Sequence, residues 1–344
     1  MTEEHIRWGG RLWAAADLLT PMAIRVAATL RLADRITAGE CTPGQLADSL
    51  AVDQDALRRL MNHLVTAAVL TRVDGDGDPS YGLTPLGEQL KDDAPEGVRA
   101  WLDLDGAIGR ADTSFVQLLH TVRTGEPAFP QQFGHGFWDD LAADPRRSAS
   151  FDALMGGRLA GDVSLVAAAY PWASLGSVVD VGGGDGTLLI EIARAHPHLR
   201  GTVLDLAGPA QRAEQAVAAA GLADRVEVRR GSFFDQLPEG ADGYLLSGIL
   251  HDWDDDHAAL IMRRCAEAAR GSGVVLVLEE AVGEVERGVA GSEGDLRMLC
   301  YVQGRERTLD ELVGLGESAS LTVGSVTAAG QRSIIEFRSA GASG

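Results

Sequence analysis

The sequence predicts an α/β protein: a doubly wound, mostly parallel sheet preceded by a mostly helical N-terminal unit of winged-helix type. Three observations carry that expectation. From residue 177 onward, short β-rich runs alternate with helical stretches of ordinary length, the pattern that strand–helix–strand units produce. The first of these runs passes through a glycine loop into a helix at "VVDVGGGDGTLLIEIARA", residues 178–195. The first 90 or so residues read helix, helix, helix, hairpin, the order of a winged helix.

Taken in turn, "PMAIRVAATLRLADRI" (21–36) sets Met22, Ile24, Val26, Leu30, Leu32 and Ile36 among alanines and predicts a mostly buried helix. "TPGQLADSL" (42–50) opens with a Thr cap and a Pro at the first helical position. "DQDALRRLMNHLVTAAVL" (53–70) places Leu57, Leu60, Met61, Leu64 and Val65 on one face. "TRVDGDGDPSYGLTPLGEQL" then supplies two short extended pieces around an Asp/Gly turn, followed by another helix. Residues 94–170 read as helical throughout, interrupted by the aromatic-rich "AFPQQFGHGFWDDLAADP" (128–145), which is either plain core or a lid over a flat ligand. The strands follow as "SVVDV" (177–181), "GTVLDL" (201–206), "RVEVRRG" (225–231), "DGYLLSGIL" (242–250) and "GVVLVLEEAV" (273–282). "LTVGSVTAA" and "RSIIEFRS" have only a Gly-containing turn between them and predict an antiparallel hairpin on the sheet edge.

Composition narrows the function. Of 344 residues, 45% are apolar, enough for a sizeable core. No stretch approaches the roughly 20 apolar residues of a membrane span, and "MTEEHIRWGGRLW" has no signal-peptide pattern. A cytoplasmic protein without membrane partners is expected. The formal charge of −20 argues against nucleic acid, whose binders carry the opposite sign. Cys41, Cys265 and Cys300 fit neither a disulfide framework nor a zinc site and read as buried thiols. Lys91 is the only lysine among 30 basic residues, so a Schiff-base or phosphate-loop lysine has no good candidate.

The glycine loop has the spacing G-x-G-x-G at Gly182, Gly184 and Gly186, not the G-x-G-x-x-G of dinucleotide binders. Asp205 ends the next strand about 20 residues on, the distance at which a carboxylate takes ribose hydroxyls. In "GSFFDQLP" (231–238), Ser232 can hydrogen-bond a base edge and Phe233 can flank its face. A cofactor with a ribose but no pyrophosphate suits this set; the alternative is a tight turn without a ligand. In "HDWDDDH" (251–257), Asp254, Asp255 and Asp256 fall at the cap and first turn of a helix whose apolar stripe is Leu260, Ile261, Cys265 and Ala268 and which "GSG" stops. His257 is expected in solvent. That leaves His251 and Asp252, too few ligands for a metal, and a histidine beside a cofactor is best read as a general base.

With "LLTPMAIRVAATLRLADRI", "DVGGGDG", "GSFFD", "LHDWDDDHA", "EGDLRML" and "GRERT" in this order, the chain resembles S-adenosylmethionine-dependent small-molecule O-methyltransferases with a winged-helix N-terminal domain, above all the bacterial enzymes acting on naphthoates and anthracycline-like polycycles. The resemblance implies a class I methyltransferase sheet at 171–344, a dimerisation domain at 1–100 and a helical substrate-pocket segment at 101–170. It implies that Gly182 and Gly184 line the cofactor's methionine end, that Asp205 with Leu206 holds the ribose, Ser232 and Phe233 the adenine, and Ser247 the amino-acid region. His251 matches the catalytic base, and Glu279 and Glu306 the acids that orient it, with Asp295 a further candidate there. Met155 and Met298 match the acceptor pocket; Trp13, Phe137 and Trp138 are further wall candidates. No metal is implied, and a homodimer is, its N-terminal arm reaching the partner subunit. The expected reaction is methylation of a phenolic hydroxyl on a bulky aromatic metabolite. Two alternatives keep parts of the fold: a scaffold repurposed for hydroxylation or decarboxylation, and a ligand-sensing winged-helix regulator.

Overall fold

Thr42 and Asp53 fix the two best-defined helix starts of the N-terminal unit. Thr42 forms a reciprocal capping box with Gln45 before the helix Pro43–Leu50, and the Asp53 side chain accepts the Ala56 N–H at the head of Gln54–Thr66. A short antiparallel hairpin follows, β1 (Leu70–Val73) with β2 (Ser80–Leu83). The computed structural model describes residues 3–75, 77–270, 272–280 and 292–340. They form two compact units, Met1–Thr113 and Ser114–Gly344.

Three helix expectations need correction. The run 21–36 is two helices, Leu19–Thr29 and Leu32–Thr37, broken at Arg31, whose backbone is left-handed (φ 53°). The first buries its alanines, Ala23, Ala27 and Ala28, while Met22 is exposed. Small side chains let this helix approach its neighbours closely. The segment after the hairpin forms only a 3₁₀ turn, Gly87–Leu90. Likewise 94–170 is not continuous helix. Five pieces of five to seven residues between Val98 and Ala143 precede the longer helix Pro145–Ala160 and then Val163–Ala169. Gly125 and Gly134, both at positive φ, close two of the short pieces.

The second unit is built on a seven-stranded sheet: β3 (Ser177–Val181), β4 (Arg200–Asp205), β5 (Val226–Arg230), β6 (Gly243–Ser247), β7 (Val274–Glu280), β8 (Leu321–Ala329) and β9 (Arg332–Ser339). Their order is β5-β4-β3-β6-β7-β9-β8. The five strands β3 to β7 are parallel, and β9 joins β7 antiparallel with β8 outside it. Apolar residues cover both faces. Val178, Leu245, Leu276 and Leu278 pack on one side; Val179, Val181, Leu246, Val275 and Val277 pack on the other. Near-continuous apolar strands are what a sheet covered on both faces requires. The chain runs outward from β3 through β4 to β5, then returns to β6, so the strand order reverses between β3 and β6. Open α/β sheets bind ligands at the carboxyl ends beside such a reversal.

Candidate active site

The glycine loop leaves β3 at that reversal. Gly182 has φ 74°, and a Cβ there would lie 2.6 Å from Ile249 Cδ1 and 3.4 Å from the Phe233 ring, so only glycine fits. Gly184, φ 60°, faces open space: nothing lies within 4 Å of its Cβ position. The Gly184 N–H donates to Asp205 Oδ2 (2.8 Å) and the Leu206 N–H to Oδ1 (2.6 Å). Burial nevertheless raises the Asp205 carboxyl to about 6, those two bonds opposing it. Leu206 is half exposed at the head of the helix Ala207–Ala219. Ser232 and Phe233 follow β5, and the Phe233 ring lies 5.7 Å from Trp253. Beside Ser232 opens a groove of about 280 Å³, lined also by Leu204, Arg230, Gly231 and Leu237. Ser247 ends β6 opposite Leu278.

One buried acid was missed by the sequence reading. Asp180 on β3 is 1% exposed, and neither carboxylate oxygen has a hydrogen-bond partner. Burial, reinforced by Asp205 and Asp185, raises it to about 7. The signal was present as one acid in the apolar run "SVVDV".

His251 sits in a 3₁₀ turn, Leu250–Asp252, a few residues beyond β6 rather than on the strand itself. Its Nδ1 is 3.2 Å from Glu306 Oε1 and 3.9 Å from Glu279 Oε2, and its Nε2 is 3.6 Å from Asp252 Oδ1. Burial works against the imidazolium, but Asp252, Glu279 and Glu306 outweigh it and raise His251 to about 10. Burial also raises Asp252 and Glu279. For Glu306, burial is overcome by the bond to His251, and its carboxyl falls below the usual range. Glu279 is buried and accepts the Leu250 N–H (3.1 Å), so it holds the turn as well as facing the imidazole.

Arg307 fixes this turn and was likewise not foreseen. Its buried guanidinium donates to the carbonyls of Leu250 (2.6 Å) and Trp253 (2.7 Å) and to Asp255 Oδ1 (2.8 Å). The Arg305 N–H donates to the His251 carbonyl (2.9 Å). "GRERT" therefore clamps the histidine turn with Arg305 and Arg307 while Glu306 meets the ring. Asp295 is exposed and accepts the Glu306 N–H (2.9 Å). It orders Glu306 through the backbone.

After the turn, Asp254 caps Asp255–Ala269 by accepting the His257 N–H, and His257 is exposed. The buried stripe includes Ile261, Met262, Cys265 and Ala268, with Leu260 only half-buried; the left-handed residue closing the helix is Arg270 (φ 50°). Cys41 is half-buried rather than buried, and the three cysteines are unpaired. No group of metal-holding side chains occurs among the described residues.

Trp253 joins two aromatic sets. It meets Phe233 and Phe234 edge-on and stacks on Trp138 at 6.1 Å. Phe137 is buried between Phe129, Trp138, Phe151 and Tyr301. Trp138 presents a buried indole N–H without a partner. Met155 and Met298 are half-buried on the helices Pro145–Ala160 and Ser292–Val302. Trp13 belongs to the first unit, where it is 75% exposed.

A methyltransferase-type sheet with a glycine loop, a strand-end acid and a carboxylate-flanked histidine at one edge defines the class of protein. The chain belongs to the O-methyltransferase family: residues 115–321 match its O-methyltransferase domain and residues 13–92 its dimerisation domain. It is 52% identical over 326 residues to a 2,7-dihydroxy-5-methyl-1-naphthoate 7-O-methyltransferase of Streptomyces carzinostaticus, covering 95% of this chain and 96% of that protein. It is 46% identical to an aclacinomycin 10-hydroxylase of Streptomyces purpurascens, covering 93% and 88%. Among solved structures, an O-methyltransferase from neocarzinostatin biosynthesis in complex with S-adenosylmethionine and 2-hydroxy-5-methyl naphthoic acid superposes with a TM-score of 0.89 at 52% identity, covering 95% of this chain and 98% of that one.

Two outcomes are expected from this geometry. Asp180 and Asp205 bind their protons more tightly folded than unfolded, so the stabilisation they give is complete below about pH 4 and is lost as pH rises through 6 to 7. The Tm of the ligand-free protein should therefore fall between pH 5 and 8, and Asp180→Asn should flatten that fall. A Tm that stays level in wild type, or falls as steeply in the variant, contradicts the assignment. Arg307→Met should lower both stability, by about 3 kcal/mol, and turnover. Arg307→Lys should not restore them, because a lysine cannot reproduce the fork; denaturant unfolding and kcat measure both effects.

Proposed function

We propose that the protein transfers a methyl group from S-adenosylmethionine to a phenolic hydroxyl of a fused-ring aromatic acid or polycycle, a hydroxynaphthoate being the nearest model, with His251 as general base. The observation that carries this is the imidazole held between Glu306 at 3.2 Å and Glu279 at 3.9 Å at the point where strand order reverses. The residues fit the cofactor. Gly184 opens onto free space, Asp205 retains lone pairs beyond its two backbone bonds, and Asp180 has two buried oxygens that lack donors. Gly182 and Gly184 would hold its methionine end, Asp205 and Leu206 its ribose, Ser232 and Phe233 its adenine, and Ser247 its amino-acid region. When bound it supplies an electrophilic methyl group on a sulfonium.

The chain's own work is alignment and proton removal. Orienting a hydroxyl behind a methyl group is mainly a positioning problem, and Trp138, Phe137, Met155 and Met298 offer flat, adaptable walls for it. Glu306 on Nδ1 leaves Nε2 to accept the phenol proton. His251 in the ligand-free protein is held at about 10, so it must shed its own proton before it can take that of a phenol, which itself ionises near pH 10. Glu306 and Glu279 stabilise the imidazolium that results.

A mass-spectrometric assay with S-adenosylmethionine and a panel of hydroxynaphthoates tests this. Wild type should add one methyl mass, and His251→Ala should lose about 10²- to 10⁴-fold in kcat. Undiminished transfer in the variant removes the base assignment. Addition of oxygen instead of methyl would support the repurposed scaffold. The pH profile carries a further expectation: kcat/KM should rise with pH through the His251 pKa and level off. Glu306→Gln removes a carboxylate that favours the imidazolium, so its plateau should begin at lower pH; an unmoved profile argues against the coupling.

We further infer a homodimer through the first unit, whose family match is a dimerisation domain and which exposes Leu12, Trp13, Leu18 and Leu19. Light scattering should give twice the chain mass for wild type and a smaller value for Leu12→Asp/Trp13→Asp. A monomeric wild type refutes it.

A further inference from the structure

Arg332 opens β9 directly opposite Glu280 on β7. Opposite charges in directly paired strand positions ordinarily interact. Here they do not: the Glu280 carboxylate pairs with Arg158 of the helix Pro145–Ala160. Arg332 is only 9% exposed. Among the described residues its ion contact is Asp162, at 3.9 Å, beyond hydrogen-bond reach. A guanidinium has five N–H donors; those of Arg332 make no hydrogen bond among the described residues yet are not sealed from the surface, so they stay available to a ligand.

The direction of that guanidinium is informative. Its Nη1 lies 3.9 Å from the point a Cβ on Gly248 would occupy, and His251 Nε2 lies 3.9 Å from the same point. Gly248, with φ 62°, thus leaves free the space that both nitrogens border. Nδ1 of His251 is committed to Glu306, so Nε2 is the nitrogen that can face an acceptor hydroxyl. A cation and a base thus both border the side-chain position that Gly248 leaves vacant. Arg158 and Arg332 both pull Glu306 down electrostatically, behind its bond and charge interaction with His251, which agrees with two cations at the rim of the carboxylate cluster.

We propose that Arg332 is a specificity-determining residue: it binds the carboxylate of an aromatic hydroxy-acid acceptor and so places the hydroxyl at His251 Nε2. Arg158, by engaging Glu280, keeps Arg332 from being neutralised across the strands. A planar guanidinium matches a carboxylate with two parallel hydrogen bonds, which fixes orientation as well as position. This inference rests on the methyl-transfer function above. The cofactor also carries a carboxylate; we assign Arg332 to the acceptor because it converges with the base rather than with the glycine loop.

The test compares wild type, Arg332→Gln and Arg332→Lys on a hydroxynaphthoate and on the naphthol lacking its carboxylate, with S-adenosylhomocysteine affinity measured by calorimetry. Wild type should prefer the acid. In Arg332→Gln the acid-to-naphthol ratio of kcat/KM should fall roughly 10- to 100-fold, mainly through KM, with S-adenosylhomocysteine Kd within about twofold. Arg332→Lys keeps the charge but not the fork and should show a smaller fall; it also serves if the Gln variant does not fold. An equal loss on both acceptors, or a pH profile displaced for both without a change in ratio, makes Arg332 a counter-ion of Glu279 and Glu306 and overturns the proposal. Weakened S-adenosylhomocysteine binding assigns it to the cofactor carboxylate and overturns it too. A wild type that binds S-adenosylhomocysteine yet methylates neither acceptor fails the proposed function itself, and this inference with it.

Discussion

The site depends on one constraint: an imidazole and three carboxylates, His251, Asp252, Glu279 and Glu306, are held together largely out of water. Carboxylates removed from solvent need a cation or strong donors nearby. The imidazolium supplies the cation, which is why His251 is raised to about 10 although burial alone would lower it. Removing one carboxylate would therefore alter both the orientation of the ring and its hold on the proton.

Such a cluster is stable only if the turn carrying it cannot relax. Two distant chain segments meet there. The turn Leu250–Asp252 has its first N–H bound by Glu279, its Leu250 carbonyl bound by Arg307, and its His251 carbonyl bound by the Arg305 N–H. Asp295 in turn orders the Glu306 backbone. The imidazole is thus fixed by backbone bonds on both sides before any side-chain contact is considered. Preorganisation of this kind is what positioning chemistry requires.

What could be read from the sequence followed from local pattern. The G-x-G-x-G loop, Asp205, the capped helix after "HDW" and the strand alternation each announce themselves within a few residues. Arg307 and Arg332 did not, because their partners lie 52 residues or more away in sequence or across strands whose pairing only the topology decides. The break at Arg31 had no glycine or proline to mark it, and the helix before it buries alanines that a reading based on large apolar residues passes over. Asp180 was legible in principle: an acid inside an apolar strand needs a reason, and its two oxygens without donors supply one.

Charge accounting links the cluster to the proposed reaction. Methyl transfer removes a positive charge from sulfur, and the phenol gives up a proton. If His251 takes that proton, the charge lost at sulfur reappears on the imidazole, and the pocket's net charge is unchanged from start to finish. Beside the fixed charges of Arg158 and Arg332 at the rim, the three carboxylates then face one further positive charge throughout. Before the cofactor enters, His251 is itself the cation, at about 10. A sulfonium bound near the same carboxylates would weaken their hold on the imidazole proton, by linkage between the two positive charges. Under the proposed mechanism, binding of the methyl donor and release of the His251 proton would be one coupled event, so that a pocket which overprotonates its histidine when empty would become a competent base site when filled.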